Sequence, residues 1–350
     1  MTPSDNLSTL DFLRAFSTVA VVAIHWMGMT GRFPSFLATL PRVVVLMFFV
    51  HTGFVLMLSL ERQHAGSAER LWRHFMVRRI FRVYPLSTFV IALILLFGIP
   101  GRMIPPNFTH VDLGAGGILA NFLLVMNLFQ CEPVLSPMWS LPYEFQLYLL
   151  LPAVYLLSKH RSGLWLVVGL WCLSLALALL QLSVPHAGRL DILTFAPCLV
   201  AGILCYRLTL GVSPRLPFMV WPLLLPSFMA SSLLWPDSQP WPSAWMACLL
   251  TALCAPFIKQ TSNAAVCRLS GTVAQHSYSI YLTHYFCLWL AFRANALQAP
   301  LQWLIFSIAI VGLPALLYRY IELPMNRMGR RLSETAANVV AAHTMRVTRA

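Results

Sequence analysis

His25 lies eleven residues after Arg14 in an otherwise apolar stretch, and Asp11 lies three residues before that arginine. On a helix, Arg14 and His25 point about 20° apart and Asp11 joins the same stripe. The rise per residue puts His25 roughly 16 Å beyond Arg14. Two readings of His25 stand on this spacing. A neutral imidazole can accept a hydroxyl proton near neutral pH and act as a general base. Alternatively, it is a structural histidine bonded to a neighbouring helix. Ionisable groups inside apolar helices are costly and so are functional candidates by default.

Four more patches carry similar groups. In Val77 to Pro85, Arg79 and Arg82 stand three residues apart on one helical face, a spacing that suits gripping phosphates. Arginines at a cytoplasmic helix end also satisfy the positive-inside rule with no further role. In Met138 to Gln146, Trp139 and Ser140 precede a helix start marked by Pro142, with Glu144 one turn in. Glu144 either orients His25, binds an acceptor hydroxyl, or is an interfacial carboxylate on a helix N-terminus. In His276 to His284, Tyr278, Tyr281 and His284 recur every three residues, and His284 lies deeper than an aromatic belt would. In Tyr318 to Pro324, Glu322 is expected to pair with an arginine at the level of Arg14, Arg79 and Arg82, a pairing that is also readable as purely structural. His51 stands in Phe48 to Phe54, where Gly53 suggests close helix packing; the spacing gives His51 no firm role.

The elements that position these groups follow from composition. Of 350 residues, 59% are hydrophobic and 10% charged, where soluble domains run near 25% charged. The mean hydropathy is +0.73. Lipid must solvate most of this chain. A membrane helix needs about 20 apolar residues, and Leu40 to Leu60, Tyr84 to Ile99, Leu164 to Leu182, Ile192 to Leu208 and Leu301 to Ile321 qualify. The first apolar segment has no small-residue cleavage site after it and is expected to be an uncleaved span. The net charge of +13 does not imply nucleic acid, because the basic residues fall mainly in loops. Cys172, Cys198, Cys205, Cys248 and Cys254 lie inside apolar runs, and no cysteine or histidine cluster has metal-ligand spacing; neither bridges nor a metal are expected.

Loop charge arbitrates the number of spans. Eleven apolar segments are candidates, and Gly117 to Phe129 is the weak one. The segment Glu61 to Arg82 holds six arginines and is expected in the cytoplasm, as is the N-terminus two spans before it. If Gly117 to Phe129 does not cross, then Lys159 with Arg161, Arg207 with Arg215, Lys259 with Arg268 and the basic tail are all cytoplasmic too. The expectation is therefore an all-α, polytopic transmembrane helical bundle of about ten spans with both termini in the cytoplasm. A short re-entrant or interfacial helix is expected in the loop Gly101 to Met138, which carries Pro105 and Pro106. Residues 1–326 form one membrane domain, and 327–350 a basic, flexible cytoplasmic tail.

These patches, in this order, resemble the acyltransferase 3 family of bacterial integral-membrane acyltransferases. The matching segments are Leu10 to Ala15 with His25, Phe48 to Phe54, Arg78 to Pro85, Trp139 to Glu144, Ser277 to His284 and Tyr318 to Pro324. The resemblance implies a ten-span fold in the bacterial inner membrane. It implies an acyl-CoA donor such as acetyl-CoA, used as co-substrate with no tightly bound cofactor, and transfer to a carbohydrate such as an O-antigen, exopolysaccharide or other lipid-linked glycan. It further implies His25 as the essential base, Arg14, Arg79 and Arg82 as donor-site residues, and functional roles for Ser140, Glu144 and Glu322. One departure is His51-Thr52-Gly53 where the family commonly has Leu-Ser-Gly, which points to a subgroup with a different acceptor.

The expected chemistry is direct acyl transfer, with coenzyme A docked from the cytoplasm, its pantetheine arm running along the first span, and His25 taking the hydroxyl proton. Asp11, Trp139, Tyr281, His284 and His51 are further candidates for lining the substrate path. The rival class is a proton-coupled transporter of a lipid-linked sugar or small acid, since intramembrane His, Glu and Arg also build proton relays. Transporters often show paired repeats, and none is visible here. The oligomeric state is not legible in the sequence.

Overall fold

A computed structural model describes residues 8–32, 39–63, 67–104, 107–183, 191–230, 241–293 and 297–334. Pro105, Pro106, much of the expected outer loops (33–38, 184–190, 231–240, 294–296) and residues 335–350 of the basic tail lie outside the described residues.

Twelve helices account for most of the described chain: α1 (Ser8–Met29), α2 (Leu40–Gln63), α3 (Ala68–Phe97), α4 (Ala115–Phe122), α5 (Leu141–Tyr148), α6 (Leu151–Ser158), α7 (Gly163–Ser183), α8 (Ile192–Thr209), α9 (Trp221–Ala230), α10 (Trp241–Cys254), α11 (Ala264–Phe292) and α12 (Ala299–Leu317). After α12 the helix continues to Glu334. Among the described residues six helices are long and apolar enough to cross a membrane: α1, α2, α3, α7, α8 and extended α12. The chain is a helical membrane protein. α2 and α8 form its centre, with 78% and 67% of their most apolar stretches buried, against 11% for α12. α7 and α12 turn Leu173, Leu180, Ile308 and Val311 outward. In water such faces would be untenable; against lipid tails they are solvated.

Helix ends follow local chemistry. Ser67 caps α3 by accepting from the Arg70 N–H, and Gly98, at φ +57°, closes it by donating to the Ile94 carbonyl. The segment read as the fourth span is two helices, because Pro152 has no N–H for the Tyr148 carbonyl and its ring crowds that carbonyl; the turn at Leu149 and Leu150 results. In the last helix, Pro324 equally cannot donate to Tyr320. The chain widens into a π-turn over Tyr318–Glu322, with the Leu323 N–H reaching back five residues to Tyr318.

The long loop departs from the expectation in two respects. Residues Arg102–Ile104 and Asn107–Thr109 pair as a two-stranded antiparallel ribbon, an element absent from the all-α reading. The apolar stretch 117–129 is not one helix: α4 ends at Phe122, and Leu124 and Gln130 adopt φ +53°. Eight residues rise about 12 Å, well short of a bilayer. Asn121 holds the loop closed, donating to the Gly117 and Glu132 carbonyls and accepting from the Val134 N–H at 2.8 Å.

α2 and α8 cross with backbone on backbone at Gly53 and Gly202. A Cβ on Gly53 would strike the Leu199 carbonyl oxygen and lie 3.2 Å from the Gly202 Cα; one on Gly202 would strike the Val50 carbonyl oxygen. Small residues permit this approach in membrane bundles. The crossing also fixes the rotation of α2, and with it the direction of His51 and Thr52. Replacing Gly53 or Gly202 by Ala is expected to destabilise the protein by about 1–3 kcal/mol through overpacking. A thermal melt in detergent checks this, and an unchanged midpoint would contradict the close crossing.

Candidate functional site

α1 and α11 meet through two polar contacts. Arg14 donates from Nε to the Ser277 hydroxyl, and eleven residues further along α1 the His25 Nδ1 lies 3.0 Å from the His284 Nε2. Both contacts climb their helices in the same direction, so α1 and α11 run parallel. The stripe expected on α1 exists, and α11 supplies a partner at each end.

At the His25 end, the two imidazole rings lie 5.0 Å apart with the Tyr285 ring edge-on to His25 at 5.2 Å. His284 is fully buried, and His25 is half-buried. The His284 Nδ1 sits 2.7 Å from the Tyr281 carbonyl and 3.2 Å from that of Ile280. Tyr281 in turn shares a 2.8 Å hydrogen bond with the Ser140 hydroxyl and donates to the Pro137 carbonyl. Ser140, Tyr281, His284 and His25 thus form one connected series. Trp139 packs beside it, against the cluster of Val21, Ile24, Val44 and Val45. Its ring also carries the Arg42 guanidinium, 5.6 Å from the centroid.

At the Arg14 end, two adjoining cavities share Arg14, His51, Val55 and Arg82. The smaller, about 60 Å³, adds Arg79, Thr52, Glu144, Tyr148 and Tyr278. The larger, about 300 Å³, adds Asp11, Gln275 and Tyr318. Three arginines therefore face one carboxylate, Glu144, across the smaller cavity. They are not equivalent. Arg82 is ion-paired with Glu322, whose second oxygen accepts from Ser279 at 2.6 Å, and its guanidinium lies over the Tyr278 ring. Arg14 and Arg79 form no ion pair among the described residues. The Arg79 Nε and the His51 Nδ1 are both buried without a hydrogen-bond partner. Buried polar atoms are nearly always satisfied, and these two both line the cationic cavity. Arg78 is elsewhere, bonded to Ser333 and Glu334.

Glu144 sits at this end and not beside His25. It accepts from Thr52 at 3.3 Å and from the Tyr148 hydroxyl. Among the described residues the side chain that meets the His25 Nδ1 is His284. Ser140, four residues earlier, falls in the other group because a 3₁₀ turn over Ser136–Ser140 precedes α5 and rotates the two side chains apart. Sequence reasoning passed over Ser277, Thr52 and Tyr148. Tyr148 had a local signal, since it stands one helical turn after Glu144. Ser277 and Thr52 stood in patches already singled out, but nothing in the spacing says which hydroxyl a guanidinium meets. Among the described residues no three His, Cys, Asp or Glu side chains converge as metal ligands.

The site thus offers a pair of histidines at one end of a helical stripe and a cationic cavity at the other. Comparison with known proteins gives the family. Over a 181-position alignment that covers 47% of this chain and 44% of the relative's length, the chain is 30% identical to the acyltransferase MdmB of Streptomyces mycarofaciens. No solved structure matches. The family model described as an acyltransferase domain matches residues 7–319, nearly the whole chain. The chain belongs to the acyltransferase 3 family.

Proposed function

We propose that this protein moves an acetyl or other short acyl group from acyl-CoA to a hydroxyl of a cell-surface or lipid-linked carbohydrate. The observation that carries the reading is the pair of unpaired arginines, Arg14 and Arg79, beside the partnerless His51 Nδ1, at the foot of the stripe that ends in His25. Phosphates are the anions that guanidinium groups grip best. The pantetheine arm of coenzyme A is long enough for a separation like that between Arg14 and His25, roughly 16 Å along the helix. The donor is a passing co-substrate.

Topology supports the same reading. Counting α5 with α6 as one crossing, α1, α2, α3, α5–α6, α7, α8, α9, α10, α11 and α12 make ten spans. Helices α1 and α11 are then the first and ninth, which requires them to be parallel, and they are. With both termini in the cytoplasm of a bacterial inner membrane, the Arg14 cavity opens towards the compartment that holds coenzyme A. The loop with α4 lies on the outer side as an interfacial or re-entrant element. The acceptor then approaches the His25 end, near Trp139 and Ser140.

In the transfer step the acceptor hydroxyl oxygen attacks the thioester carbonyl. Its C–O bond forms as the C–S bond breaks, and His25 takes the hydroxyl proton and returns it to the departing CoA thiolate. A general base contributes about 10²- to 10⁴-fold. His25→Ala should lose activity in that range while retaining insertion and acyl-CoA binding. Glycan mass spectrometry of cells carrying each variant measures this, one acyl mass being the readout. A His25→Ala protein acylating at wild-type rate would sink the reading.

The arginines separate by assay. Arg79→Ala should weaken acetyl-CoA binding about ten- to hundredfold, as expected for losing charge-assisted hydrogen bonds of about 1.5–3 kcal/mol, with little change in melting. Glu322→Gln should do the reverse. It leaves Arg82 uncompensated and lowers stability by about 3–5 kcal/mol, with the Arg82→Gln, Glu322→Gln double variant less destabilised than the sum. Isothermal titration with acetyl-CoA and detergent melts read the two effects; a donor affinity insensitive to Arg79 would count against the cavity.

A further inference from the structure

We infer that His284 is a positioning residue that sets the tautomer of His25, so that the His25 Nε2 is the atom that removes the acceptor proton. The inference rests on the proposed role of His25 as base and says which nitrogen acts and what holds it.

The argument runs outward from the backbone. Two carbonyl oxygens, those of Tyr281 at 2.7 Å and Ile280 at 3.2 Å, face the His284 Nδ1. A carbonyl can only accept, so this nitrogen carries a hydrogen. In a neutral imidazole the other nitrogen is then an acceptor. The His284 Nε2 is that acceptor, and it lies 3.0 Å from the His25 Nδ1. The His25 Nδ1 must therefore carry hydrogen, which leaves the lone pair of His25 on Nε2. The opposite assignment would turn a lone pair of His284 onto two carbonyl oxygens.

His284 does for His25 what a carboxylate does in a catalytic triad, without introducing a negative charge into the bundle. Which nitrogen of a histidine is protonated is set by the hydrogen bond the other makes. When the acceptor attacks, its proton moves to the His25 Nε2. The resulting imidazolium keeps its Nδ1–H on the His284 Nε2, and the proton then passes to the CoA thiolate. Tyr281, tied to Ser140 and Pro137, holds the turn whose carbonyl anchors His284.

The test uses the full chain in lipid nanodiscs with ¹⁵N-histidine labelling. Solid-state spectra of wild type, with the His25→Ala spectrum identifying the missing signals, should show His25 hydrogen-bearing at Nδ1 and bare at Nε2. His284→Ala should give a mixture of tautomers at His25. In CoA-thiol release from acetyl-CoA, with water as acceptor, His284→Ala should lower kcat at least tenfold with KM for acetyl-CoA within about twofold, inside the range a general base supplies. His284→Gln, whose amide oxygen can accept from the His25 Nδ1–H, should recover much of that loss. A wild-type His25 with hydrogen on Nε2, or wild-type kcat in His284→Ala, overturns the inference. Should His284→Ala fail to fold, the wild-type spectrum and His284→Gln still decide it. A fully active His25→Ala instead removes the base reading, and the spectrum then decides the tautomer alone.

Discussion

Charged and hydrogen-bonding groups buried in a helical bundle must meet partners there, because lipid supplies none. The pairing of α1 with α11 answers that constraint. Ser277 receives Arg14 and His284 receives His25, and the other polar contacts of the site are arranged around those two rungs. α12 contributes Glu322 through a π-turn, so that Arg82 of α3 is neutralised beside Ser279 of α11. α5 contributes Glu144, which faces Arg14 and Arg79 across the smaller cavity. What is left over is informative. After these pairings Arg14 and Arg79 remain without an ion pair among the described residues, and two buried nitrogens of the smaller cavity, the Arg79 Nε and the His51 Nδ1, remain without a hydrogen-bond partner. A fold that satisfies Arg82 so thoroughly has the means to satisfy Arg79; the unpaired cationic cavity reads as a site kept for a ligand's own anions.

The polar groups divide along the same axis. The Arg14 end holds three arginines and the His25 end holds a pair of imidazole rings with hydroxyls nearby. The proposed donor, with phosphates at one end and a thioester at the other, matches that division. The close crossing of α2 and α8 at Gly53 and Gly202 supports this division from behind, because it aims His51 and Thr52 into the cavity. It also gives a physical reason for glycine in the departure motif His51-Thr52-Gly53.

Much of this was legible in the residues. The eleven-residue spacing of Arg14 and His25 defines a stripe whatever the neighbours are, and the three-residue spacing of Arg79 and Arg82 defines a face. Pro152 and Pro324 announce breaks that the structure shows at α5–α6 and at the π-turn. Contacts between helices were not legible. His25 and His284 are 259 positions apart, and no local period tells which of the polar groups on other helices meets His25. Glu144, expected beside His25, an acceptor hydroxyl or the outer interface, lies at the Arg14 end instead, because a 3₁₀ turn precedes α5 and the helix spacing alone does not set that rotation. The ribbon 102–104 with 107–109, the positive φ of Leu124 and the closure of the loop by Asn121 are features that hydropathy does not see.

The central claim is that one stripe, from Arg14 to His25, holds the donor. Its most direct test is an electron cryomicroscopy structure of the protein with a non-hydrolysable acetyl-CoA analogue. The account requires the pyrophosphate within hydrogen-bond reach of Arg14 and Arg79 and the acyl carbonyl beside the His25 Nε2. Analogue density that leaves the Arg14 cavity empty, or an acyl group remote from His25, would contradict it.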